Sequence, residues 1–202
     1  MQKNIGLFGG SFDPIHLGHL NLALELKEKR QLDEVWFIPA CMSPFKIGSV
    51  LTPAAHRLEM LRLALKDFPN FYIKDLELSR TPPSYTIDTI RLFCQLNPQN
   101  HYFWLMGEDH LLNFKKWHQW QEIIEKVTLL IGSRFELHSP KYRYAEIELE
   151  KAVQSGWTKT RLMDISGTEL RQRLAKKLIC SHLLPSIVLQ YIKQNQLYEL
   201  KG

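Results

Sequence analysis

Residues Ile5 to Leu20 read IGLFGGSFDPIHLGHL. An apolar run breaks at Gly9 and Gly10, passes Ser11, Phe12, Asp13 and Pro14, and enters an amphipathic segment with His16, Gly18 and His19 at its front. That order predicts a strand, a tight loop and a helix start. Glycine permits positive φ and lets a ligand approach the backbone, while first-turn N–H groups of a helix attract anions. His16 and His19, three apart, share a helix face, and Gly18 between them leaves room for a nucleotide. The chemistry such a set suits is the handling of a phosphate.

A second set lies far along the chain, where Ser166, Gly167, Thr168, Glu169, Leu170 and Arg171 follow one another. Ser166 with Glu169 three residues on predicts a capping box. Arg171 in that first turn faces the positive end of the helix dipole at a cost of ~0.3–1 kcal/mol, which an anion nearby would offset. The glycine loop has the spacing of neither GxGxxG nor GxxxxGK[ST], so a dinucleotide fingerprint and a P-loop are both excluded.

The elements that must position these residues follow from periodicity. Leu20, Leu22, Ala23, Leu24 and Leu26 predict a first helix from Leu17 to about Arg30. Glu34 to Pro39 is a β-rich run closed by proline, and Ser43, Pro44, Lys46 and Gly48 mark the loop after it. Thr52 as N-cap and Pro53 at the first helical position predict a second helix, with Leu58, Leu61, Leu65 and Phe68 spaced for burial. Phe71 to Leu78 alternates as a strand, Pro82 and Pro83 stop it, and Ser84 or Thr86 caps the next helix. His101 to Met106 is an apolar strand ending at Gly107; one or two helices run from Asp109 through Trp117 to Lys126, and Val127 to Ile131 is a buried strand. Residues 132–159 carry little pattern beyond scattered Tyr142, Tyr144 and Trp157, after which Arg161 to Ile165 reads as the last strand. A helix from Ser166 and another after Pro185, through Ile187, Leu189, Tyr191 and Ile192, close the chain. Alternating β and α elements predict an α/β fold: a Rossmann-like, doubly wound, mainly parallel sheet with a C-terminal helical segment and its ligand crevice at the strand C-terminal ends.

Composition sets the class. A chain of 202 residues, 45% apolar and 23% charged, fits a single domain over 1–202 whose helical part begins at about 166. The formal charge of +5 suits an anionic ligand, but Lys and Arg are scattered, so basicity alone makes only a weak case for nucleic acid. Cys41, Cys94 and Cys180 are far apart and odd in number, against a disulfide framework or a CxxC metal site and in favour of a reducing cytoplasm. No stretch approaches a membrane span and the start lacks the apolar run of a signal peptide, so a soluble cytoplasmic protein is expected. Nothing in the sequence decides whether it forms a homo-oligomer.

The HxGH of His16 to His19, together with Ser166 to Arg171, resembles the nucleotidylyltransferase superfamily, specifically the bacterial nicotinate-nucleotide adenylyltransferases with their ISSTxIR element. Ser43, Pro44, Phe45 and Lys46 are similar to the family's PPHK, with phenylalanine in place of histidine; SYTIDT from Ser84 to Thr89 matches SYTxDT, Gly107 and Asp109 match GxD, and Trp117 matches a stacking tryptophan. The resemblance covers nearly the whole chain. It implies AMP transfer from ATP to nicotinate mononucleotide, giving deamido-NAD and pyrophosphate. It also implies His16, His19, Lys46 and Arg171 as catalytic groups and an ATP site of Gly9, Gly10, Ser11, Phe12, His16, Gly18, His19, Ser166, Thr168 and Arg171. Ser84, Tyr85 and Thr86 would meet the nicotinate carboxylate, Gly107 and Asp109 the ribose, and Trp117 the pyridine ring. On sequence alone Trp117 and Trp120 read as core or helix-packing residues, so the stacking role rests on the resemblance. Mg2+ is expected on the ATP phosphates, with no metal site built from protein side chains. Two rivals remain at this level: a transferase acting on nicotinamide mononucleotide or phosphopantetheine, and a non-enzymatic basic RNA-binding protein.

Overall fold

The computed structural model describes residues 2–42, 44, 50–133, 146–161 and 163–199. Ser43, Phe45 and Lys46, and with them the PPHK-like lysine, lie outside the described residues, as do Tyr142 and Tyr144. In chain order the elements are β1 (Asn4–Gly10), α1 (Leu17–Lys29), β2 (Glu34–Pro39), α2 (Ala54–Leu65), β3 (Phe71–Ile73), α3 (Thr86–Leu96) and β4 (His101–Gly107). A 3-10 helix (Glu108–Lys116), α4 (Trp120–Lys126), β5 (Thr128–Gly132), α5 (Ile147–Gly156), β6 (Trp157–Thr158), α6 (Gly167–Ala175) and α7 (Ser186–Gln194) follow.

The strands form one sheet in the order β3-β2-β1-β4-β5-β6, every pairing parallel. Their unbroken apolar runs are explained by burial on both faces. Phe8, Phe37, Leu105 and Leu130 join a core with α1, α2, α6 and α7 through Leu26, Met60, Leu170 and Val188. Ile5, Leu7, Trp36, Trp104 and Leu129 face the other core, built with Ile90 and Phe93 of α3, Ile123 of α4 and Val153 of α5. The chain reverses its direction of travel across the sheet between β1 and β4, and the crevice of a Rossmann-like fold opens beyond their C-terminal ends.

Several predicted elements are corrected. The strand expected to run to Leu78 stops at Ile73: Lys74 N–H still reaches the Phe37 carbonyl, but β2 ends at Pro39, which has no N–H to extend the ladder. The last strand is Trp157–Thr158 rather than Arg161 to Ile165. Beyond it the hydroxyls of Ser133 and Thr160 bond each other's backbone, Thr160 N–H to Ser133 Oγ at 3.1 Å and Thr160 Oγ1 to the Ser133 carbonyl at 3.0 Å. Side chains thus replace the ladder and the chain leaves the sheet. Thr52 is not the N-cap of α2; Pro53 holds that place, and neither Ser84 nor Thr86 caps α3, whose N-cap is Tyr85.

The carboxyl end of α5 is packed so closely on β5 that a Cβ on Gly156 would lie 1.8 Å from the Leu129 carbonyl oxygen. That neighbour is backbone and cannot rotate away. Gly156→Ala should therefore cost about 2 kcal/mol or more in denaturant unfolding, and a loss under about 0.5 kcal/mol would contradict this packing.

Candidate active site

A cavity of about 650 Å³ opens at the switch point between β1 and β4, within the size range of small-molecule sites. Gly9, Gly10, Ser11, Phe12, His16, His19, Ser166, Thr168 and Arg171 all line it, and so do Ser84, Tyr85, Thr86, Gly107, Asp109 and Trp117. Residues separated by more than 150 positions therefore share one space.

The glycines do a different job from the one expected. Gly9 and Gly10 belong to β1, and the residue with positive φ is Phe12, at 46°. A Cβ on Gly9 would lie 2.6 Å from the Trp104 ring, and one on Gly10 3.1 Å from the Phe12 ring. The absent side chains admit aromatic rings to the cavity wall. At Gly18 a Cβ would meet the His16 ring at 3.1 Å and Ile165 at 3.4 Å, so the missing side chain also makes room for the His16 ring.

His16 is the N-cap of α1, extended at φ −144° and ψ 169°, with its side chain buried; His19 is the third helical residue. The two close a reciprocal box, His19 N–H donating to His16 Nδ1 at 3.4 Å and His16 N–H to His19 Nδ1 at 3.3 Å. Their rings stack with centroids 3.6 Å apart. Because each Nδ1 accepts a backbone N–H, the proton of each neutral imidazole is assigned to Nε2, leaving two N–H donors side by side at a helix start.

Arg171 reaches across from α6. Its Nη1 donates to the Asp13 carbonyl at 2.7 Å and its Nη2 to Thr168 Oγ1 at 3.2 Å, so the guanidinium is fixed against the β1–α1 loop. Ser166 occupies the N-cap position but makes no side-chain cap, and the expected capping box with Glu169 is not formed. The first turn of α6 instead meets the cavity.

The other group is set by α3 and by the segment after β4. Trp117 lines the cavity while packing on Phe114 at 5.2 Å and edge-on to Trp104 at 6.2 Å, so the packing and ring-binding roles are compatible. Trp120 does not line the cavity; it packs against Phe114. The Tyr85 ring lies 4.6 Å from that of His118.

Three residues to which the sequence motifs give no role support the site, and one of them, Asp13, itself lines the cavity. Asp13, buried, accepts from Tyr198 Oη at 2.6 Å and from the Thr52 N–H at 3.2 Å. Burial and the adjacent Asp13 carboxylate both push the Tyr198 hydroxyl far above its usual range. Arg57 is also buried, donating to the carbonyls of Ser11 at 2.7 Å, Ala40 at 2.9 Å and Thr52 at 3.0 Å. Burial lowers its pKa and Asp13 partly restores it. One signal was available for Arg57, which sits on the same helical face as Met60, Leu61 and Ala64, the buried stripe of α2. Tyr198 had none.

A parallel doubly wound sheet with a histidine-bearing anion cradle at its switch point defines a nucleotide-binding α/β protein. Residues 7–173 match the Cytidylyltransferase-like family. A probable nicotinate-nucleotide adenylyltransferase of Methylacidiphilum infernorum is 39% identical over 194 residues, covering 96% of this chain and 91% of that one. Another from Bordetella petrii is 39% identical over 204 residues, with 98% and 100% covered. The nicotinic acid mononucleotide adenylyltransferase of Plasmodium falciparum, solved in complex with NaAD, has the same fold, with a TM-score of 0.79 at 20% identity over 98% of both chains. The chain thus belongs to the cytidylyltransferase-like family and, within it, to the nicotinate-nucleotide adenylyltransferases.

The hydroxyl of Tyr198 bonds a buried carboxylate, an interaction with a charged acceptor. Tyr198→Phe should lower unfolding free energy by about 2 kcal/mol at pH 7, and a change below about 0.5 kcal/mol would contradict the bond.

Proposed function

We propose that the protein transfers AMP from ATP to nicotinate mononucleotide, releasing pyrophosphate and forming deamido-NAD for NAD biosynthesis. The observation that carries this reading is the meeting of two sets of residues in one cavity: His16, His19, Ser166, Thr168 and Arg171 suited to a triphosphate, and Ser84, Tyr85, Thr86, Asp109 and Trp117 suited to a pyridine nucleotide. The relatives' names support the same acceptor.

The acceptor phosphate is itself the nucleophile. Its oxygen attacks the α-phosphorus of ATP, the bond from that phosphorus to the bridging oxygen breaks, and pyrophosphate leaves. A phosphate monoester needs no further activation, so the protein's contribution is alignment and charge stabilisation. The Nε2–H groups of His16 and His19 and the guanidinium of Arg171 meet negative charge that develops on the phosphorus oxygens and on the leaving group; Lys46 is assigned a share of it on the family pattern. The start of α3 offers backbone N–H groups to the nicotinate carboxylate, Trp117 a face to its ring, and Asp109 an acceptor to ribose hydroxyls. Both carboxylate oxygens of Asp13 already accept hydrogen bonds, and among the described residues no group of three His, Cys, Asp or Glu side chains could hold a metal. Magnesium would enter with the substrate as MgATP, ligated mostly by phosphate oxygens and water. We place the enzyme in the cytoplasm, where its unpaired Cys41, Cys94 and Cys180 stay reduced; no helix among the described residues is long and apolar enough to cross a membrane.

Pyrophosphate release with MgATP, measured against nicotinate mononucleotide, nicotinamide mononucleotide and phosphopantetheine, tests reaction and acceptor together. A higher kcat/KM for the acid nucleotide is expected, and a strong preference for the amide overturns the assignment. His19→Ala should lower turnover by about a hundredfold or more, the usual effect of removing one transition-state donor, a far larger effect than the stability lost with the capping box. Undiminished turnover in a folded variant would remove His19 from the mechanism.

A further inference from the structure

Glu77 is 4% exposed, belongs to no regular element, and still lines the cavity beside Ser84, Tyr85 and Thr86. The reaction as derived gives it no task. Its surroundings do: Thr89 Oγ1 donates to its carboxylate at 2.6 Å, Arg80 Nη1 donates to the same Thr89 oxygen at 2.9 Å, and the Ser84 hydroxyl acts on the carboxylate to favour its charged form. Ser84 in turn is tied to the segment after β2, its Oγ accepting from Cys41 N–H at 3.2 Å and its N–H donating to the Met42 carbonyl at 2.9 Å.

We propose that Glu77 is a positioning residue for the acceptor nucleotide, its buried carboxylate clamping Ser84 and Thr89 so that the amino end of α3 is held at the cavity wall. The assignment rests on the acceptor half of the proposed function. A negative group on the wall of a site for an anionic ligand works against binding by simple Coulomb repulsion. Here that charge is engaged: the Thr89 hydroxyl bonds it, the Ser84 hydroxyl and Arg80 offset it, and it lies near the N-terminal, positive end of the α3 dipole. Burial nonetheless raises its pKa, with Asp88 adding to the rise and Thr89, Ser84 and Arg80 opposing it. What the carboxylate secures is direction. Without it the Thr89 hydroxyl loses its acceptor and the Ser84 hydroxyl its charged neighbour, and the first turn of α3 is free to shift relative to Cys41.

Steady-state kinetics with MgATP and nicotinate mononucleotide test this in Glu77→Ala and Glu77→Gln. The alanine variant should raise the KM for the mononucleotide about tenfold, the scale of a lost hydrogen bond to a charged group, with the KM for ATP within about twofold of wild type. Glutamine, which keeps one acceptor for Thr89, should recover most of the loss. Equal changes in both KM values, no change in either, or a lower kcat with both unchanged would overturn the inference. If Glu77→Ala does not fold, Thr89→Val carries the same test, because it removes the hydroxyl that bonds Glu77 at a residue that does not line the cavity, and it should raise the acceptor KM alone. Wild-type protein that forms no deamido-NAD would overturn the proposed function, and this inference with it; active wild type with no KM split overturns the inference alone.

Discussion

Asp13 is the point at which four distant parts of the chain are joined. Its carbonyl receives Arg171 of α6, one carboxylate oxygen receives Tyr198 from the last turn, the other receives the Thr52 N–H ahead of α2, and Arg57 of α2 holds the neighbouring Ser11 carbonyl. Asp13 is almost fully buried, so each bond forms where an unpaired polar group would be costly. The loop between β1 and α1 consequently has one conformation, and His16, three residues on, enters α1 at a fixed place. The sheet brings the loop to the switch point; Asp13 gives it a shape.

Much of the architecture was readable from local pattern. The runs at β1, β2, β4 and β5 are apolar after their first residue because both faces are covered, and the expected bounds agree within a residue or two. The misses have physical causes. β3 is shorter than its alternation predicts, because alternation says nothing about whether the neighbouring strand can continue, and Pro39 ends that neighbour. β6 was misplaced because hydroxyls of Ser133 and Thr160 redirect the chain, a contact between positions far apart in sequence.

The candidate site divided along the same line. Motif residues around the glycine loop, α3, the end of β4 and α6 converge on one cavity; at Gly18 the motif showed a gap and not what fills it. Tyr198, Arg57 and Glu77 escaped notice because their significance lies in partners distant in sequence or in the unexpected burial of a charge. Only three-dimensional packing brings Tyr198 to Asp13, from the opposite end of the chain.

The proposed reaction is one of alignment. No protein side chain would carry the adenylyl group; the histidine box, Arg171 and the helix starts would orient two anions and stabilise charge as it moves between them. The stereochemistry at the α-phosphorus reports on this directly. ATP made chiral there by one sulfur substitution, turned over with nicotinate mononucleotide, should give a dinucleotide with inverted configuration, the signature of a single in-line displacement. Retention would mean two displacements through a covalent adenylyl-enzyme, and would contradict the account.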